Sequence, residues 1–311
     1  LDIVVLLAGL GLLLGGGEIL VRGGLALAHR LGMTPAMIGA VVLGFGTSTP
    51  ELVTSLQAAF AGAPGIALGN VVGSNIANIL LILGVAALIA PMVARGAVSQ
   101  RDVVAMLLAT LAGLAVLASG QAGRGTGVVL LLGLAAYLWV SLRSGARVDV
   151  PADIAVPVAR PPVWTGAALA IGGIAATILG AHLLVGAATR MATDLGVPEA
   201  VIGLTLVAVG TSLPELATSV VAAFRGQGAM SLGNILGSNV FNIAGILGVT
   251  AVASPLVVPA SIGVVDAVTL AGSALLLAAF LWVGRIGRVA AMILLTGYLA
   301  YVGWLARAFL P

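Results

Sequence analysis

Long apolar runs, each about the length of a bilayer crossing, alternate along this chain with short clusters of Gly, Pro and Arg. An α-helix rises about 1.5 Å per residue, so roughly 20 apolar residues cross a hydrocarbon core of about 30 Å. Spans drafted on that basis run near 2–28, 33–60, 65–90, 102–119, 126–142, 164–189, 197–224, 229–253, 262–283 and 288–308. The pattern predicts an all-α polytopic membrane protein of about ten transmembrane helices. The first run is too long for the apolar core of a secretory signal and has no basic segment ahead of it, so it is expected to be a true first span. One polar, Pro-rich stretch interrupts the series. It divides the chain into residues 1–143, a linker at 144–162 and residues 163–311, with five expected spans on either side.

The two sides repeat one another. Gly46-Thr47-Ser48-Thr49-Pro50-Glu51 returns 164 residues later as Gly210-Thr211-Ser212-Leu213-Pro214-Glu215. Gly69-Asn70-Val71-Val72-Gly73-Ser74-Asn75 returns at the same offset as Gly233-Asn234-Ile235-Leu236-Gly237-Ser238-Asn239. The register holds without a gap from about Leu20 to Gly84, and more than half of positions 46–84 are identical to their partners. Five spans per half is an odd number, so the second half is expected to enter the membrane from the opposite side. The repeats are then inverted, an architecture of many secondary transporters.

The placement of charge bears independently on this topology. All 13 basic residues are Arg, and basic residues concentrate in cytoplasmic connections. With the N-terminus outside, those connections hold Arg30, Arg95, Arg101, Arg143, Arg147, Arg160, Arg225, Arg285 and Arg288; external positions hold Arg124, Arg190 and Arg307, and Arg22 lies within the first span. Both termini are therefore expected outside, with the linker in the cytoplasm. Composition agrees with the class: 61% of residues are hydrophobic and 7% charged, against roughly 25% charged in soluble domains, and the mean hydropathy is +1.24. The formal charge of +3 belongs to topology-setting arginines and gives no reason to expect a nucleic-acid partner. Cysteine is absent, which removes disulfides and thiolate metal sites. The histidines, His29 and His182, are far apart and form no His-Glu-x-x-His motif, so an enzyme is not expected.

Glu51 and Glu215 fall mid-span, where an ionised carboxylate is costly and marks function, and no intramembrane Arg accompanies them at matched positions. Thr47 and Thr211 lie one helical turn earlier, on the same face. Pro50 and Pro214 lack an N–H and are expected to kink their helices, leaving the carbonyls of Gly46 and Gly210 without helical donors. Gly69, Gly73, Gly233 and Gly237 permit close helix approach or a break. Ser74 with Asn78, and Ser238 with Asn242, are spaced to line one face. The result is an all-oxygen set that suits hard cations such as Ca²⁺ and Na⁺, with no cofactor. Two ionised glutamates balance one Ca²⁺ or two Na⁺, so one cavity can alternate between them, and a larger Na⁺ ratio would move net charge. Elsewhere, Glu18 stands four residues before Arg22, the spacing of a local ion pair. Its repeat equivalent, His182, is read as packed and hydrogen-bonded, and Asp102, Asp149, Asp153, Asp194, Glu199 and Asp266 as solvated groups near span ends or in loops.

Gly-Thr-Ser-x-Pro-Glu followed by Gly-Asn-x-x-Gly-Ser-Asn, present twice, resembles the α-repeats of the sodium/calcium exchanger family, within the cation/calcium exchanger superfamily. The resemblance spans nearly the whole chain and is to the prokaryotic type without a regulatory domain. It implies ten helices, alternating access and sodium-driven calcium extrusion. It also implies residence in the lipid bilayer of a prokaryotic cell (inner) membrane, with no obligate protein partner. Position by position it nominates Thr47, Ser48, Glu51, Ser74 and Asn78 with Thr211, Ser212, Glu215, Ser238 and Asn242, and backbone ligands near Gly44 and Ala208. The proton/calcium branch typically carries Gly-Asn-x-x-Glu at the first such motif, which this chain lacks; a calcium/proton antiporter using the same carboxylates is the alternative. Some members of the family, notably potassium-dependent ones and certain prokaryotic exchangers, carry Asp at the position of Asn242. Both Asn78 and Asn242 are amides here, which implies potassium-independent exchange.

Overall fold

A computed structural model of the chain describes residues 2–143, 162–194 and 208–307. The first half contains α1 (Asp2–Leu31), α2 (Pro35–Thr47), α3 (Thr49–Phe60), α4 (Pro64–Ile89), α5 (Gln100–Ser119) and α6 (Arg124–Arg143). The second contains α7 (Val163–Asp194), α8 (Ala208–Gly210), α9 (Leu213–Phe224), α10 (Gly228–Ala253), α11 (Val264–Val283) and α12 (Arg288–Arg307). Eight of these helices are long and apolar enough to cross a membrane, and α2 and α3 together form an apolar pair bent by 41° at Ser48. Of the predicted seventh span, α8 and α9 are described; residues 195–207, with Glu199, lie outside the described residues, as do linker residues 144–161 with Asp149 and Asp153.

Helix bounds recur at the offset of the sequence repeat: α4 with α10, α5 with α11 and α6 with α12 match end for end. α5 stops on Gly120 (φ 74°) and α11 on Gly284 (φ 88°). That left-handed geometry is open to glycine at no Cβ penalty, and it turns the chain out of the helix at once. Four two-residue strands lie in the connections: β1 (Met92–Val93), β2 (Gln121–Ala122), β3 (Leu256–Val257) and β4 (Arg285–Ile286). β1 pairs antiparallel with β4, and β2 with β3. The 20 residues of α5 separate β1 from β2, about 30 Å at helical rise, so the two strand pairs cap opposite ends of the bundle. β1 and β3 are repeat equivalents, yet they stand at opposite ends. The halves are inverted.

The burial pattern is that of a body surrounded by lipid. Leu7, Leu14, Leu108, Leu132, Val268, Leu275 and Leu299 are exposed, while Ser48, Glu51, Asn75, Asn78, Ser238 and Asn242 are buried. Trp139, Trp164, Trp282 and Trp304 are all exposed and lie close to helix ends, Trp282 at 90%. Amphipathic indoles settle at the headgroup level, so these four mark the edges of the apolar band. The Arg143 guanidinium lies 4.1 Å from the ring centre of Trp139, a cation–π contact at that edge.

Two seams hold the bundle together through missing side chains. α1 and α7 run antiparallel with glycines at 9, 16 and 23 facing a row at 166, 173 and 180. A Cβ at Gly16 would stand 2.7 Å from Thr177 N, and one at Gly173 would stand 2.5 Å from Leu20 N. The seven-residue spacing keeps the bare edge of each helix on its neighbour, and Arg190 Nε closes the far end on Asp2 Oδ1 at 2.7 Å. In the second seam α2 lies on α10: a Cβ at Gly39, Gly233 or Gly237 would overlap the carbonyl oxygen of Met230, Ala36 or Ala40. In lipid, helices associate by such close backbone approach because no hydrophobic drive separates protein from solvent.

Asp102 and Asp266, expected to be solvated, are buried. Asp102 Oδ1 accepts from Tyr137 Oη at 3.3 Å and Arg101 Nε at 3.2 Å, and Asp266 Oδ1 accepts from Tyr301 Oη at 2.7 Å while Oδ2 accepts from Gly263 N at 2.8 Å. The pairs are repeat equivalents that tie the first turn of α5 to α6 and of α11 to α12. A carboxylate at a span end escapes water only when a tyrosine from the next span covers it, which one-helix reasoning cannot see. Tyr301→Phe leaves a buried carboxylate oxygen short of a donor, a loss of about 1–3 kcal/mol. The expected result is a lower melting temperature in detergent, read by thermal shift, with the wild-type helical content unchanged below it.

Candidate functional site

The site forms where two helices are broken at matched places. Ser48 leaves helical geometry (φ −81°, ψ 11°) between α2 and α3, and Ser212 (φ −90°, ψ 6°) does so ahead of α9. Pro50 and Pro214 then fall in the first turn of a new helix, where a missing N–H goes unneeded. Glu51 and Glu215 follow in that same first turn, at the positive end of a helix dipole. One expectation is corrected: the Gly46 carbonyl is not freed, because it accepts from Ser48 N and from Thr49 Oγ1, the latter at 2.9 Å. The hydroxyl of Thr49 replaces the donor that Pro50 lacks.

The two halves serve each other. Ser48 Oγ donates to Glu215 Oε1 at 2.8 Å, and Ser212 Oγ donates to Glu51 Oε1 at 3.0 Å. Thr47 is buried and donates to Leu43 O at 2.9 Å, and Thr211 stands at the second break, next to Ser212. Both carboxylates are buried, at 1% and 2% exposure, and close enough for mutual repulsion. Glu51 Oε2, Glu215 Oε2, Asn78 Oδ1 and both amide atoms of Asn242 are buried without a hydrogen-bond partner among the described residues. Each such atom costs about 1–3 kcal/mol, more when charged. Two neighbouring buried carboxylates stay ionised together only beside compensating positive charge. The donor set of carboxylate, hydroxyl, amide and carbonyl oxygens fits a hard cation.

The other nominated residues surround this pair. Ser238 Oγ donates to Gly44 O at 3.2 Å, which brings that carbonyl to the second-half motif. Asn78 Nδ2 donates to Asn239 Oδ1 at 3.1 Å, a further bond across the halves. Ser74 is buried one turn before Asn78 on α4, and Asn242 is buried on α10. Ala208 opens the short α8 at the edge of the described residues. Phe45, next to Gly44, stacks on Phe241, next to Asn242, at 4.4 Å between ring centres.

Two features are absent from the sequence reading. Wide π-helical turns run over Gly39–Leu43, Asn78–Leu83 and Phe241–Leu247. Such turns disturb the regular ladder and recur at functional sites; here one leads into Gly44 and the others carry Asn78 and Asn242. Asparagine braces form a second addition. Asn70 Nδ2 donates to Glu51 O at 3.0 Å and to Ser55 Oγ at 2.8 Å, and Asn234 Nδ2 donates to Ser219 Oγ at 2.9 Å. Their signal was present in the repeat itself, since Asn70 and Asn234 stand in the Gly-Asn motif and Ser55 and Ser219 one turn after the glutamates.

Glu18 and Arg22 form the expected pair, with Arg22 Nε to Glu18 Oε1 at 2.5 Å. Arg225 joins them through Nε to Glu18 Oε2 at 2.8 Å and through a second nitrogen to Oε1. His182 is exposed on α7 rather than packed; its face of the helix points away from the bundle.

Comparison with known proteins decides the family. The profile of the sodium/calcium exchanger protein family matches residues 1–143 and 165–307. This chain belongs to that family. It is 35% identical to the putative antiporter CaxA of Alkalimonas amylolytica over 96% of both chains. It is 33% identical to the sodium/calcium exchanger MaX1 of Methanosarcina acetivorans, over 82% of this chain and 84% of that one. A solved structure of the sodium-calcium exchanger NCX_Mj, soaked with Na⁺ and Sr²⁺, superposes with a TM-score of 0.84 at 35% identity, covering 97% of this chain and 98% of that one. The chain is thus an integral membrane protein with the exchanger fold and a cation/calcium exchanger.

Proposed function

We propose that this exchanger moves sodium against calcium by alternating access, without potassium, through a site built on Glu51 and Glu215. The observation that carries this reading is the reciprocal pairing of Ser48 with Glu215 and Ser212 with Glu51, which leaves one buried oxygen of each carboxylate unpartnered. Thr47, Thr211, Ser74, Ser238, Asn78, Asn242 and the carbonyls of Gly44 and Ala208 complete the ligand set in this reading. The amides at Asn78 and Asn242 hold the site to two carboxylates, matching one Ca²⁺ or two Na⁺ and leaving no third charge for potassium. Residues 1–143 and 163–311 act as the two inverted units, both termini face outside, and the protein works in the prokaryotic cell membrane without an obligate protein partner.

The deciding measurement is ⁴⁵Ca flux in proteoliposomes with and without an opposing sodium gradient, with potassium present or absent. Sodium-dependent, potassium-indifferent flux is expected. It should fall as pH falls from about 8 to 5, since protons compete for the same carboxylates. Uptake driven by a pH gradient without sodium would establish the calcium/proton antiporter instead.

A further inference from the structure

Glu18, Arg22 and Arg225 lie outside the ion site, and two adjoining cavities open on them. One, of about 360 Å³, is lined by Leu14, Val220, Val221 and Phe224 beside Glu18 and Arg225. The other, of about 220 Å³, is lined by Val21, Arg22, Leu25 and Gln227 beside the same two charged residues. We infer that this double groove between α1 and the α9–α10 connection binds an anionic phospholipid, phosphate against Arg22 and Arg225 and acyl chain along Leu14, Val220, Val221 and Phe224.

Charge supplies the first reason. Two guanidiniums face one carboxylate, so the cluster carries a surplus positive charge. Arg225 is held by a two-pronged contact with Glu18, whereas Arg22 contacts Glu18 through Nε alone and its side chain is 65% exposed. A guanidinium exposed on the outer face of a membrane helix is costly unless an anion or the headgroup layer receives it, and its fork matches phosphate oxygens.

Depth supplies the second. Arg225 caps the end of α9, immediately before the turn at Gly226 and Gln227 into α10, so the cluster stands where the chain leaves the apolar band. Along α1 the lining residues run Leu14, Glu18, Arg22, Leu25, and along the partner strand of chain Val220, Val221, Phe224, Arg225, Gln227. Both sequences place the apolar cavity toward the middle of the bundle and the polar one toward its end. That is the order of tail and headgroup in one leaflet, which a free inorganic anion does not require. The repeat equivalents of Glu18, Arg22, Arg225 and Gln227 are His182, Gly186, Ala61 and Ala63, so the groove belongs to one leaflet only. Basic pockets between membrane helices hold anionic headgroups by the same chemistry.

The test uses the purified full chain in detergent, with lipid binding read by native mass spectrometry and by thermal shift. Phosphatidylglycerol is expected to stay bound and raise the melting temperature of wild type, while phosphatidylcholine does neither. Arg22→Gln removes the surplus charge but keeps the Glu18–Arg225 contact, and should weaken phosphatidylglycerol binding about 10-fold, or about 1.4 kcal/mol. Glu18→Gln should not weaken it. Equal stabilisation of wild type by the two lipids, equal stabilisation by glycerol phosphate, or unchanged phosphatidylglycerol binding in Arg22→Gln would each overturn the inference. The wild-type lipid comparison stands even if a variant fails to fold.

Discussion

Glu51→Gln and Glu215→Gln each lose calcium flux by roughly 100-fold or more while the protein stays folded and monodisperse. The magnitude follows from removing one of two charges that together match Ca²⁺; a charge-assisted oxygen ligand in a buried site contributes about 2.7 kcal/mol, which is that factor in affinity. Glutamine keeps the shape and keeps an acceptor for the opposite serine hydroxyl, so Ser212 or Ser48 retains its bond. Folding should improve slightly, because an uncompensated buried carboxylate is removed. The check is ⁴⁵Ca flux in proteoliposomes beside the melting temperature of the same preparation. Wild-type flux in both variants would dismiss the two carboxylates as the site.

Gly237→Ala has the largest expected effect on folding. The added methyl would overlap Ala40 O, a backbone atom of α2 that has no rotamer to yield with. Overpacking of this kind costs about 3 kcal/mol, and here it pries α2 from α10 next to Ser238, whose hydroxyl reaches Gly44 O. A large fall in the monodisperse fraction on size-exclusion chromatography is expected, with calcium flux lost in what remains. Gly11→Ala is the matched control: nothing lies within 4 Å of its Cβ position, and stability should hold. Comparable behaviour of the two variants would remove the seam from the account.

The broad outline of the fold was legible because lipid imposes a simple code. Every backbone group must be satisfied inside its own helix, so spans appear as long apolar runs, and an odd number of spans in a repeated sequence forces inversion. The glutamates were legible for the converse reason: a carboxylate in an apolar run stands out, and these two recur with the same neighbours. Asp102 and Asp266 show the limit. Position near a span end suggested solvent, but Tyr137 and Tyr301, each 35 residues further on, cover them. The Gly46 carbonyl shows another, since Thr49 supplies locally the donor that Pro50 withholds.

The amino-acid sequence by itself determined the membrane class, the repeat and the two recurring glutamate motifs, because each rests on local composition or on identity at a constant offset. Only the tertiary structure decided who serves whom. Ser48 bonds to the glutamate 167 residues away rather than to its neighbour Glu51, and Ser212 does the reverse. Asn78 bonds to Asn239, α2 lies on α10 through bare glycines, and Arg225 reaches Glu18 on α1. Periodicity reports which face of a helix a side chain occupies, but not which helix stands opposite. That assignment is made when inverted halves cross, each offering its hydroxyl to the other's carboxylate.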